Sequence, residues 1–182
     1  MKNIKYIALL RGINVGGNNK IEMTKLKKTF EKLNFEKVST YINSGNVIFE
    51  TTSTDIADLT KKVEDRIQQD FKLKIKVLLI DSKSIQRICD NVPKNWENNT
   101  DQRTDVLFLW NDYNKKSSLE LIKTNSIVDN LIYIDGAIVW NIKKINLNKS
   151  GLKKFIGTEL YKNMTARNIN TTRKLRELMS GI

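Results

Sequence analysis

The sequence predicts an α+β fold. A ferredoxin-like β-α-β-β-α-β subdomain occupies residues 1–80, and a second, less regular α+β subdomain with basic C-terminal helices occupies 104–182. Three observations carry this reading. Short apolar runs of strand length recur at residues 4–10, 38–42, 47–49 and 75–80. Two amphipathic helical patterns lie between them, at residues 23–33 and 56–71. After residue 104 the order β-α-β-β begins again without evident sequence identity.

Residues 4–10 form an apolar run suited to a strand buried on both faces. Arg11 follows directly. Gly12, Gly16 and Gly17 then permit positive φ and close backbone approach, and Asn14, Asn18, Asn19 and Lys20 supply polar side chains. Successive N–H groups in such a loop can form a nest for an anion. The glycine spacing matches neither a Walker A loop nor a G-x-G-x-x-G fingerprint. Met23, Leu26, Phe30 and Leu33 then recur on one helical face, with Asn34 as a left-handed stop.

Residues 38–42 and 47–49 read as a hairpin around Asn43-Ser44-Gly45-Asn46. Ser53 or Thr54 is expected to cap a helix through Ile56, Leu59, Val63, Ile67 and Phe71, and residues 75–80 close the unit as a strand. Right-handed crossovers with a tight hairpin give the spatial strand order 4-1-3-2. Arg11, Asn14 and Lys20 should therefore meet Asn43, Ser44 and Asn46 at one end of the sheet.

Residues 81–103 read as a helix, capped by Asp81 or Ser82 and ended by Pro93, followed by a polar linker. The second unit begins with a strand at 105–110 and a short helix at 119–122. A hairpin across Asp135-Gly136 joins strands at 131–134 and 137–142. Ser150 is expected to open one helix through Leu152, Phe155, Ile156 and Leu160. Thr165 or Asn168 opens a last one with Leu175, Leu178 and Met179 facing inward.

Composition narrows the chemistry. The chain has 182 residues, one cysteine, one proline and no histidine. No Ser-His-Asp triad, Cys-His pair or imidazole metal ligand can form. Cys89 sits among Ile85, Ile88 and Val92 at helical spacing and reads as core. No signal segment or transmembrane run is evident, so a cytoplasmic location is the default. Asp81, Asp105, Asp129 and Asp135 stand at element ends, where turn and cap roles explain them better than Mg²⁺ binding. Neither metal nor cofactor is expected.

The net charge of +12 is unevenly placed. Residues 1–32 hold eight Lys/Arg against two Asp/Glu, 33–142 hold fourteen against sixteen, and 143–176 hold ten against one. A lysine-rich composition explains the abundance of cations but not the last run, which suits a polyanion.

Three literal strings go further. Tyr6 to Gly17, Y-I-A-L-L-R-G-I-N-V-G-G, resembles the opening signature of the bacterial domain-of-unknown-function 1697 family. Tyr41 to Phe49, Y-I-N-S-G-N-V-I-F, is similar to its second motif. Met164 to Thr171, M-T-A-R-N-I-N-T, is similar to its C-terminal T-A-R-N-W-N-T motif, with Ile169 where an aromatic is common. The resemblance spans essentially the whole chain. It implies a two-subdomain α+β protein of ferredoxin-like character, and it brings no established activity.

The candidate ligand-binding residues are therefore Arg11, Gly12, Asn14, Gly16, Gly17, Lys20, Asn43, Ser44 and Asn46, with Thr165, Arg167 and Asn168 from the C-terminal motif. A cap hydroxyl, a guanidinium fork and an amide suit a phosphate. The leading expectation is a cytoplasmic protein that binds a phosphate-bearing small molecule or nucleic acid. The alternatives are an enzyme acting on a small phosphorylated metabolite, with a carboxylate or lysine as base, and a protein-interaction module whose charge serves solubility.

Overall fold

The computed structural model describes residues 3–181, apart from the side chain of Lys153. The chain divides into two compact units, residues 1–82 with 178–182, and residues 83–177. Each holds a four-stranded antiparallel sheet.

In the first unit β1 (Ile4–Leu10) is followed by α1 (Met23–Glu31), β2 (Glu36–Tyr41), β3 (Asn46–Thr51), α2 (Ile56–Phe71) and β4 (Val77–Asp81). The sheet order is β2-β3-β1-β4, as right-handed crossovers require. Ile7, Ala8, Leu9 and Leu10 are all fully buried, so β1 is covered on both faces. Its Tyr6, Ala8 and Leu10 face join Val47, Phe49, Val77 and Leu79 beneath Leu26 and Phe30 of α1 and Leu59, Val63 and Ile67 of α2. Phe35 stacks on Phe49 with centroids 4.3 Å apart. The cap of α2 is Asp55, whose carboxylate accepts from the Asp58 N–H at 3.0 Å, and not Ser53 or Thr54. Asp55 alone stands next to the first helical residue, where a side chain can reach that N–H.

The second unit begins with most of α3 (Ser82–Asn91), then β5 (Gln102–Leu109), β6 (Asn130–Ile134), β7 (Ala137–Lys143), α4 (Leu152–Phe155), α5 (Glu159–Lys162), β8 (Met164–Asn168) and most of α6 (Ile169–Ser180). Its sheet order, β6-β7-β5-β8, is that of the first unit. Leu107, Leu109, Ile138 and Met164 pack with Ile122, Phe155 and Leu160. The expected helix after Ser150 is two short ones, interrupted at Gly157 with φ +91°. Residues 164–168 are a strand paired with β5, so Thr165 opens no helix; Asn168 caps α6 by accepting from the Thr171 N–H at 2.8 Å.

Asp129 fastens this unit. Its Oδ1 accepts from Trp140 Nε1 at 3.1 Å and Ser150 Oγ at 2.7 Å, and its Oδ2 from the N–H groups of Asn125 at 2.8 Å and Gly151 at 2.9 Å. Burial raises its pKa, but the four donors outweigh burial and hold the carboxyl below its ordinary value. A side chain at Gly151 would run into the Lys123 carbonyl oxygen.

Candidate functional site

The glycine loop and the β2–β3 turn meet at one end of the first sheet. The Leu10 N–H donates to the Gly45 carbonyl at 2.8 Å, and the Arg11 N–H donates to Lys76 of the segment entering β4 at 3.0 Å. Asn14 joins the two motifs. Its Nδ2 donates to the Asn43 carbonyl at 2.9 Å and to the Ile21 carbonyl at 2.8 Å, while its Oδ1 accepts from the Ile21 N–H at 2.8 Å. Both amide hydrogens are thus engaged in holding the corner together. Asn19 Nδ2 donates to the Gly12 carbonyl at 3.0 Å and closes the loop on itself.

The loop needs its special residues for conformation. Gly12, Gly16 and Gly17 have φ of +68°, +59° and +81°, and Asn14 and Asn19 also lie in the left-handed region. A Cβ at any of the three glycines would meet nothing within 4 Å, so the space before them is open. Gly45 is different: a Cβ there would come within 2.8 Å of Ile13 and Leu10. Its glycine lets the hairpin close on the loop.

The result is an open groove of about 390 Å³ lined by Asn14, Gly17, Lys20, Ile21, Glu22, Met23 and Asn43. Four of these were expected from sequence. Ile21, Glu22 and Met23 were not, although all three lie between the loop and the first turn of α1. Glu22 accepts from the Thr24 hydroxyl and pairs with Lys25 at 3.0 Å; these contacts, the hydroxyl first, hold its carboxyl below the ordinary range. The groove therefore carries one ammonium and one carboxylate.

The other expected residues lie as follows. Arg11 is half-buried at the end of β1, and Gly12 and Gly16 are exposed in the loop. Asn46 is fully buried, with Nδ2 donating to the Tyr41 carbonyl at 2.9 Å and to Ser44 Oγ at 3.0 Å. In the second unit Thr165 is buried, and so is Arg167, whose Nη1 donates to Thr165 Oγ1 at 3.0 Å and to the Ala166 carbonyl at 2.7 Å. Burial pushes the Arg167 pKa down to about 10, which leaves it cationic at neutral pH. Asn168 is the α6 cap. Arg176 pairs with Asp90 at 2.9 Å and Arg173 donates to the Trp96 carbonyl at 3.1 Å. Among the described residues, no group of three or more carboxylate or thiol side chains could hold a metal ion.

The second unit shows what this topology needs at the same corner. There the Leu109 N–H donates to the Gly136 carbonyl at 3.0 Å, the Trp110 N–H to the Asn163 carbonyl at 3.3 Å, and Asn114 Oδ1 accepts from the Gly136 N–H at 2.7 Å. The leucine, the turn glycine and the asparagine latch recur. The loop glycines do not: residues 110–122 contain none. Two exposed apolar side chains also mark the first unit's corner. Val15 is 64% exposed and Ile42 is 48% exposed. Ile42 has φ +49°, a conformation that a β-branched residue rarely adopts.

The family model described as "Protein of unknown function (DUF1697)" matches residues 4–140, and the chain belongs to that family. A solved structure, that of the conserved bacterial protein SP0830 from Streptococcus pneumoniae, is 26% identical with a TM-score of 0.83; the match covers 98% of this chain and 99% of that one. No curated protein matches the chain.

Proposed function

We propose that the protein binds a phosphate-bearing ligand, a class that includes nucleotides and nucleic acid, at the groove beside the glycine loop. One observation carries the reading. The groove opens beside a loop whose Gly16 and Gly17 N–H groups take no acceptor among the described residues, with Lys20 on its lining. Backbone donors and an ammonium together suit a phosphate. The second unit's corner closes without loop glycines, so these are not a requirement of the topology. The same proposal places the protein in the cytoplasm, where such ligands are held. No helix among the described residues is long and apolar enough to cross a membrane.

A thermal-shift screen with inorganic phosphate, phosphosugars, nucleotides and oligonucleotides tests it. A ligand present at a hundred times its Kd should stabilise the fold by about 2.7 kcal/mol. Lys20→Ala should remove most of that shift. The same variant should lower affinity by roughly one to two decades with little change in the Tm of the ligand-free protein, because a charge-assisted contact is worth about 1.5–3 kcal/mol. No shift with any phosphorylated ligand would end the proposal.

A further inference from the structure

The phosphate reading leaves three features of this corner without a purpose. A carboxylate lines the groove, although a carboxylate repels an anion. Val15 and Ile42, chain neighbours of the lining residues Asn14 and Asn43, hold apolar side chains in water. Ile42 does so in a strained backbone conformation, at a turn where asparagine or glycine would be unstrained. The two apolar residues are carried on adjoining backbone, since each neighbours one end of the Asn14–Asn43 hydrogen bond. Met23 supplies a thioether on the groove wall itself.

We propose that the groove selects a nucleoside phosphate, with Gly16, Gly17 and Lys20 taking the phosphate, Glu22 accepting from a sugar hydroxyl or base amino group, and Val15, Ile42 and Met23 flanking the base. The inference rests on the phosphate reading and specifies its ligand. Each of these groups then has a partner of matching chemistry. Glu22 stays ionised because Thr24 and Lys25 favour its charged form, so it remains an acceptor at neutral pH. Thioether and aliphatic side chains suit the face of a heterocycle. A volume of about 390 Å³ lies at the small end of ligand sites, which run from about 300 to 1,000 Å³. A protein partner fits less well. It would need about 800 Å² of covered surface on each side, and among the described residues Val15 and Ile42 are the exposed large apolar side chains at this corner.

The test compares inorganic phosphate, ribose 5-phosphate, the four nucleoside 5′-monophosphates and a 5′-phosphorylated oligonucleotide by calorimetry. At least one monophosphate should bind about tenfold tighter than ribose 5-phosphate, the return expected from covering one ring face with apolar side chains. Ile42→Asn should abolish that preference while holding or raising Tm. Glu22→Gln should weaken the monophosphate relative to inorganic phosphate, since it replaces one acceptor oxygen with a donor while relieving a repulsion that both ligands feel. Ribose 5-phosphate equal to all four monophosphates overturns this inference and leaves the phosphate reading standing. Failure of every phosphorylated probe overturns both. An oligonucleotide that binds while every monophosphate fails also overturns the inference, because the recognised unit is then a strand.

Discussion

Asp129 is the residue whose loss should be felt most simply. Four donors converge on its two oxygens, and two of them are backbone N–H groups. In Asp129→Asn one carboxylate oxygen becomes an amide NH₂, which faces donors with another donor. Each unsatisfied buried donor costs about 1–3 kcal/mol. The carboxyl is held below its ordinary value in the folded state, so its contribution is complete above the unfolded value of about 3.9 and disappears as pH falls through the lower folded value. Urea melts of wild type and Asp129→Asn at neutral pH and near pH 3 should therefore show a gap that narrows on acidification. A gap unchanged by acid would mean that Asp129 acts through packing and not through its charge. Cys89 illustrates the opposite case. It is buried, burial pushes its thiol up to about 11, and no histidine exists in the chain to activate it.

At the scale of elements, the glycines divide into two kinds. A Cβ at Gly45 would press on Ile13 and Leu10 at 2.8 Å, whereas a Cβ at Gly16 would meet open space. Both have positive φ, so both substitutions carry a conformational cost of about 1–2 kcal/mol. Gly45→Ala should add about 1–3 kcal/mol of overpacking, and Gly16→Ala should not. Equal losses in chemical denaturation would mean that the hairpin yields without strain. The first unit was legible because its apolar residues follow strand and helix periods: β1, α1 and α2 each bury one continuous run or face. β8 was not legible for a physical reason. In Met164–Asn168 the buried side chains include Thr165 and Arg167, so the strand carries no apolar alternation and reads as a helix start. The convergence of Asn14 with Asn43 followed from strand order alone. Glu22 did not enter the sequence reading of the site, because a carboxylate beside a glycine loop argues against the anion that the loop suggests. The exposure of Val15 and Ile42 is a fact of packing that no residue pattern reports.

Across the whole molecule the question is what the charge of +12 does. The ten cations of residues 143–176 are not one uniform basic surface. Arg167 is buried, Lys162, Lys174 and Arg176 pair with carboxylates, and Arg173 donates to a backbone carbonyl. Among the described side chains of this run, Lys143, Lys144, Lys149 and Lys154 are exposed and have no carboxylate within ion-pair reach. Three of them lie at or within the 3-10 turn at Lys144–Lys149 or the residue before it. If this segment holds duplex nucleic acid, it has about four phosphate contacts to offer. Each neutralised phosphate contributes about −0.9 to the slope of log affinity against log salt, so the slope should be near −4. Lys143→Gln with Lys144→Gln should reduce its steepness by about 2 and leave sequence preference unchanged. A nucleoside monophosphate at the groove, with Lys20 as the one cation on the lining, should show a slope of about −1 or flatter by the same counting. Anisotropy titrations with a labelled duplex and calorimetry with the monophosphate, both between about 50 and 200 mM salt, separate the two modes. A duplex slope near −8 would require cations well beyond these four, and a steep slope for the monophosphate would move its site off the groove and onto the lysine-rich segment.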